Sequence, residues 1–344
     1  MDGAGAPIRF PHETPPEAAS VIEVAGGILW ARLPLPMTLD HVNVYILDDG
    51  DGWTIVDTGL NARRCREGWE GLLAGPLSGK PVTRVILTHH HPDHIGLVGW
   101  FQERGAELVT TRTAWLFGRM LTLDVQTAMT PESETFFLRA GMDAERLAKR
   151  KADRPFNFAD VVHPIPLGYR RIAQDDQVRI GGRLWTVHVG NGHAPEHATL
   201  WSDDGIILAG DQIIPGISSN LGVYATEPDA DPVGDWIESC TRLRALAEPD
   251  HLALPGHKLP FTGVATRLSQ LIDNHELALP RLIELLREPK RAVDCFPLLY
   301  KRKIGDGEYG LALVEAVGHL NHLLRLGLVE REVAPDGAYL WRAV

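Results

Sequence analysis

The stretch ILTHHHPDHIG (residues 86–96) places four histidines and an aspartate within six positions, directly after the apolar run Val85-Ile86-Leu87. An apolar run that ends abruptly in nitrogen and oxygen donors reads as a strand delivering a loop to a metal. In an extended segment, residues two apart share a face, so His89 and His91 can grip one ion. A turn after Pro92 then aims Asp93 and His94 at a second site. One loop offers too few ligands, so partners are expected where other strands meet loops. Three candidates stand in such places: His193 in VHVGNGHAPEH, Asp211 closing GIILAGD, and His257 in LALPGH.

The flanking sequence alternates in the same way. Val42, Val44 and Ile46 interleave with Asn43, Tyr45 and Leu47. DDGDG (48–52) then supplies hairpin turn chemistry, and Trp53–Val56 forms the next strand. A helix is expected over 62–74, a strand over VTRVILT, and a helix over GLVGWFQERG closed by Gly105. Strands return at DQVRIGGRLWTVHVG and HATLWSDDGIILAGD. Strands first and then alternating helices and strands imply sheets packed face to face with helices outside.

Residues 111–170 break that rhythm. Leu116, Met120 and Leu123 recur at helical spacing beside Trp115 and Phe117. TPESETFFLRAGM follows, with Thr130 as N-cap and Pro131 at the first helical position. DAERLAKRKADR supplies a third helical run. From residue 264 onward the pattern is mostly helical, with a break at Pro280, and closes as helix, strand, turn at Pro335-Asp336-Gly337, strand. That tail reads as a winged helix.

At 344 residues, 44% hydrophobic and 23% charged, the chain has the composition of an ordinary globular protein. No apolar run reaches the ~20 residues of a membrane span. Residues 1–20 lack a signal-peptide pattern and read as an irregular lead-in. Cys65, Cys240 and Cys295 are isolated and odd in number, as expected of reduced thiols in a cytoplasmic protein. The net charge of −11 argues against a nucleic-acid partner. So does the balance over residues 281–344, ten basic against nine acidic, with YKRKIG as the sole local cluster.

Taken together in order, VDTG with Asp57, the H-x-H-x-D-H run, the GNGH histidine, the AGD aspartate and the PGH histidine resemble the metallo-β-lactamase superfamily. The resemblance spans 57–257 and implies an αββα sandwich with a two-metal site at one edge. It implies that His89, His91 and His193 bind one metal and that Asp93, His94 and His257 bind the other, with Asp211 bridging. Asp57 would brace the metal loop by hydrogen bonds. The expected organisation is a lead-in (1–20), a metallo-β-lactamase domain (21–263) with a helical lid at 111–170, and a helical, winged-helix C-terminal module (264–344) serving packing or dimerisation.

Seven N/O ligands without thiolate suit zinc, with iron or manganese as alternatives. Two dications lower the pKa of a shared water toward ~7, so the expected reaction is hydrolysis of a small ester, thioester or lactone, with Asp93 shuttling a proton and Asp211 holding the ions together. The position of Asp211 is cysteine in the common zinc β-lactamases, and His91 stands where flavin-linked di-iron reductases carry glutamate. The pattern is therefore closer to glyoxalase II and to lactonases. An RNA-cleaving enzyme and a mononuclear-iron persulfide dioxygenase are the alternatives; a complete second-site set argues against the latter. His90 is expected to point outward or into a hydrogen bond, and His188 and His197 to flank the site. The remaining histidines, His41 among them, read as ordinary polar residues. Trp115, Phe117, Phe136 and Phe137 read as core or as pocket lining.

Overall fold

The computed structural model describes residues 6–300 and 302–344; Lys301 of the basic cluster lies outside them, as does the start of the lead-in. These residues form two compact units: residues up to 125 with 157–219 and 242–268, and residues 126–156 with 220–241 and 269–344.

The first unit holds two sheets. One runs, in spatial order, Ile22–Ala25 (β1), Ile28–Pro34 (β2), His41–Asp48 (β3), Trp53–Val56 (β4), Val82–Ile86 (β5), Glu107–Thr110 (β6) and Arg170–Arg171 (β7). The first four strands pair antiparallel and the rest parallel. The other sheet contains Gln177–Ile180 (β8), Arg183–Gly190 (β9), His197–Ser202 (β10), Ile206–Gly210 (β11) and Leu252–Pro255 (β12) in sequential order, with β11 and β12 parallel.

The alternation read along β3 has a direct structural meaning. Tyr45 and Leu47 join Ile28, Trp30, Val56 and Ile86 in a core shared with Trp185, Val187, Leu200 and Leu208 of the second sheet. Val42, Val44 and Ile46 point the other way, into a core with Trp69, Leu72, Val98 and Phe101. Those residues come from the helices Arg63–Ala74 (α1) and Val98–Gln102 (α3), with the short Pro92–Ile95 (α2) between them. Strands β2 to β6 of the first sheet are thus buried on both faces, one against β and one against α, whereas the edge strand β7 is exposed. The opposite face of the second sheet is also buried, at Ile207, Ala209 and Ala253. Burial at ~25 cal/mol per Å² makes these layers the dominant favourable term.

Arg112–Leu123 (α4) is capped by Thr111, whose Oγ1 accepts from the Ala114 N–H at 3.3 Å. Its apolar stripe does not face the core. Leu116, Met120 and Leu123 are exposed, whereas Ala114, Gly118 and Thr122 are buried. Small residues at i, i+4 and i+8 let the helix approach Ile95 so closely that a Cβ on Gly118 would lie 2.3 Å from Ile95 Cδ1. Close approach of the small face decides the helix orientation.

Only 111–125 and 157–170 of the expected insertion belong to this unit. Residues 126–156, with Pro131–Arg139 (α5) and Ala144–Ala152 (α6), belong to the second. Thr130 caps α5 and Pro131 opens it, as the sequence predicts. Phe136, Ala140, Met142 and Leu147 are buried with Leu282, Leu286, Leu313, Leu320 and Trp341. That apolar contact, not chain order, draws the segment into the second unit.

Pro232–Leu246 (α7) and Val264–Glu276 (α8) each contain a boundary between the units. The second unit continues through Leu279–Leu285 (α9), Phe296–Leu299 (α10) and Asp306–Arg325 (α11) to a hairpin, Val329–Val333 (β13) and Tyr339–Ala343 (β14). Pro280 falls in the first turn of α9, so the predicted break separates α8 from α9. The lead-in is irregular yet tethered: Arg9 and Thr262 exchange backbone hydrogen bonds at 3.3 and 2.9 Å. No helix among the described residues is long and apolar enough to cross a membrane.

Candidate metal centre

Every candidate ligand sits past the end of a strand of the first unit, in a loop or, for Asp93 and His94, in the short helix α2. Asp57 follows β4, His89 to His94 follow β5, His193 lies between β9 and β10, Asp211 follows β11, and His257 follows β12. Two glycines make the convergence sterically feasible. A Cβ on Gly256 would lie 2.2 Å from Asp211 Oδ1 and 2.8 Å from His94 Cε1. Gly210 has φ +48°, and a Cβ there would meet the His197 ring at 2.6 Å.

The ring nitrogens converge in groups. His89 Nε2 lies 3.0 Å from His91 Nδ1, which lies 3.0 Å from His193 Nε2. Nitrogens bound tetrahedrally to one zinc at 2.0–2.1 Å are about 3.3 Å apart, so this spacing suits a shared cation. A second group comprises Asp93, His94 and His257, and a third joins His89, His94 and Asp211. Asp211 Oδ2 is 3.5 Å from His193 Nε2 and 3.3 Å from His257 Nε2; Oδ1 is 3.4 Å from His94 Nε2. Asp211 therefore touches both sets.

Outer hydrogen bonds settle which nitrogen His89, His94 and His257 offer. Asp57 accepts from the Thr88 N–H at 2.9 Å and from the Thr88 hydroxyl at 2.8 Å. A hydroxyl that donates to a carboxylate must accept elsewhere, so His89 Nδ1, 3.0 Å from Thr88 Oγ1, carries the proton and Nε2 is left bare. His94 Nδ1 lies 2.7 Å from Asp57 Oδ2 and donates to it. His257 Nδ1 donates to the His41 carbonyl at 2.7 Å. Such partners orient ligands and raise their basicity. Buried polar atoms without a partner cost free energy, and His94 Nε2 and Asp211 Oδ1 are two of them. A cation between them would satisfy both, so the donor set fits a metal.

The metal-free electrostatics divide the site. Burial, helped by the neighbouring His94, holds His89 well below the ordinary histidine range; burial and His193 do the same to His91. Burial also acts to lower His257 and His94, yet Asp211 and Asp93 outweigh it: His257 rises to about 10, and His94 rises well above its usual value. Burial raises and His257 and His94 lower the Asp211 carboxyl, and the histidines win.

His90 corrects its expectation. It is buried, with Nδ1 lacking a hydrogen-bond partner, between Phe117 at 5.2 Å and Phe158 at 6.3 Å. An apolar slot formed by residues distant in sequence takes the ring that alternation would turn outward. Phe117 thereby reaches the metal loop. Trp115 instead stacks on Tyr169 at 4.8 Å, against the helix-side core. Phe137 packs on Phe136 at 5.3 Å within the second unit. His197 stacks on His89 at 4.6 Å, and its Nε2 accepts from the Asp211 N–H at 3.0 Å. His188 is placed elsewhere, beside Gln174 and Trp201. His41 belongs to the site through its backbone carbonyl, and its ring accepts from the Lys258 N–H at 3.0 Å. No residue-type signal marks a carbonyl, so the sequence does not reveal this role.

Known proteins share the family and the fold of this chain. The metallo-beta-lactamase superfamily profile matches residues 37–257, and the metallo-beta-lactamase-like C-terminal domain matches 279–344. The chain is 26% identical over 312 residues to the probable metallo-hydrolase YqjP of Bacillus subtilis (strain 168), covering 86% of this chain and 92% of that one. It is similar in structure to a beta-lactamase domain protein from Burkholderia ambifaria, with 36% identity, a TM-score of 0.91 and 98% of each chain covered. A metallo-beta-lactamase family protein from Thermus thermophilus aligns at 29% identity and a TM-score of 0.77, covering 94% of this chain and 100% of that one. With its matched fold, its paired sheets and its histidine and aspartate cluster, the chain belongs to the metallo-beta-lactamase superfamily.

Proposed function

We propose that this metal-dependent hydrolase works with two divalent ions, zinc first among them, on a small ester, thioester or lactone. The observation that carries the reading is Asp211, whose two oxygens lie within 3.5 Å of ring nitrogens from both donor groups. His89, His91 and His193 would hold one ion and Asp93, His94 and His257 the other, with Asp211 between them. When bound, such ions supply Lewis acidity and an acidified water near neutral pH.

The protein's own groups do the rest. Asp57, Thr88 and the His41 carbonyl keep protons on the far nitrogens of His94, His89 and His257, so the near nitrogens stay available as ligands. Asp93 is one-fifth exposed, with Oδ2 3.3 Å from His257 Nε2. It is the carboxylate placed to take a proton and return it to the leaving oxygen or sulfur. Phe117 and His90 would form an apolar wall for the acyl part of the substrate. No serine or cysteine nucleophile is required.

The test is a panel of p-nitrophenyl esters, thioesters and lactones assayed with the metal-loaded protein. Chelator-sensitive turnover of at least one class, restored by zinc, iron or manganese, supports the reading. Metal-dependent cleavage of RNA with no turnover of any acyl substrate would replace it.

A further inference from the structure

We propose that the second unit carries a binding site for a small amphipathic carboxylate, a molecule with an apolar body and one anionic end. The site is a cleft of about 420 Å³ lined only by residues of that unit. This is within the ~300–1,000 Å³ range of small-molecule sites. It contains none of the candidate metal ligands, so it stands or falls independently of the hydrolase reading.

Two elements build the cleft from their periodicities. On α5 and its C-cap, Glu132, Phe136, Arg139 and Ala140 recur at i, i+4, i+7 and i+8, and so share one face. On β14, Tyr339 and Trp341 are two apart and share the other wall, with Arg331 of β13 directly opposite Trp341. The floor is apolar: Phe136 and Trp341 are both buried.

The polar groups give the ligand its charge. Arg331 donates to Asp229 at 2.7 Å and is already paired with that carboxylate. Arg139 is not paired with a carboxylate among the described residues; it donates to the Gly337 carbonyl at 2.8 Å and lies 5.2 Å from the Tyr339 ring centroid. A guanidinium held over a ring, with donors to spare, is pre-organised for a carboxylate. Glu132 also lines the cleft, but it is seven residues from Arg139, about 10 Å along the helix. The acid therefore marks the far end and repels an anion toward Arg139.

The probe is octanoate, titrated by calorimetry into the full-length, metal-loaded chain, with acetate, octan-1-ol and octylamine as controls. Octanoate should bind at least about tenfold more tightly than each control, since each control lacks the apolar body or the anion. Arg139→Gln and the cleft-filling Ala225→Phe should each weaken it by about tenfold or more, with unchanged thermal melting. Asp211→Asn should leave it intact. If Arg139→Gln destabilises the unit, Ala225→Phe, at a part-exposed position, decides the question. The proposal is overturned if octanoate shows no binding at millimolar concentration, or if octanol or octylamine binds as well. It is equally overturned if both cleft variants bind normally while Asp211→Asn does not, which would place the carboxylate at the metal centre.

Discussion

Asp57 Oδ2 lies 2.7 Å from His94 Nδ1, and the same carboxylate accepts from the backbone and hydroxyl of Thr88. One buried aspartate thus determines the tautomers of two histidines, His94 directly and His89 through the Thr88 hydroxyl. It does so from φ +61°, a left-handed conformation. Asp is several-fold enriched there among non-glycine residues, as is Asn.

Asp57→Asn keeps that backbone preference but replaces an acceptor-only group with an amide. Metal affinity should fall about 10- to 100-fold, the usual effect of removing an outer partner of a ligand. Competition with a fluorescent zinc chelator measures it. Wild-type affinity in the variant would mean that Asp57 serves only the fold.

His197 makes a separate case, because its ring joins backbone to ligand. His197→Leu keeps a side chain of similar size but strips the acceptor from the buried Asp211 N–H. An orphaned buried donor costs about 1–3 kcal/mol. Urea unfolding of metal-free protein should show that loss. A variant as stable as wild type would show that Asp211 is held by other contacts.

Phe117→Ala should leave metal content unchanged, since its ring contacts His90 and no ligand nitrogen. Truncating this half-buried aromatic contact in a substrate wall should lower kcat/KM about 10- to 100-fold for bulky acyl groups and far less for acetyl esters. Equal losses on both would reassign Phe117 to packing.

Glu315 gives a pH signature in the second unit. Burial pushes its carboxyl up to about 7, against lowering hydrogen bonds from Asn220 and Tyr300. A carboxyl whose folded pKa exceeds its unfolded value binds its proton more tightly in the folded chain. Its contribution to stability is full at low pH and is lost as pH rises from about 4.5 through about 7. The loss amounts to at most about 3 kcal/mol. Glu315→Gln does not titrate, so its stability relative to wild type should improve by up to that amount between pH 5 and pH 8. An unchanged difference across that range would contradict the shift.

Much of this was legible before any coordinates. Alternation along Val42 to Leu47 needed only the period of a strand, and it marked both buried faces of the first sheet. The spacing of His89 and His91 likewise put two donors on one side. What escaped the sequence depends on contacts between distant residues. The slot around His90 is made by Phe117 and Phe158. The exposed stripe of α4 follows from Gly118 meeting Ile95. Residues 126–156 join the second unit because their apolar face meets α11, a relation no local pattern encodes. His41 acts through its carbonyl, which every residue possesses.

The central claim is that the two donor groups flanking Asp211 each hold an ion. Elemental analysis of the chain purified without chelator and saturated with zinc tests it most directly. The account predicts close to two ions per chain in the wild type and fewer in Asp211→Asn, with the circular-dichroism spectrum intact. A wild type that saturates at one ion, or an Asp211→Asn variant that retains both with near-normal turnover, would contradict it.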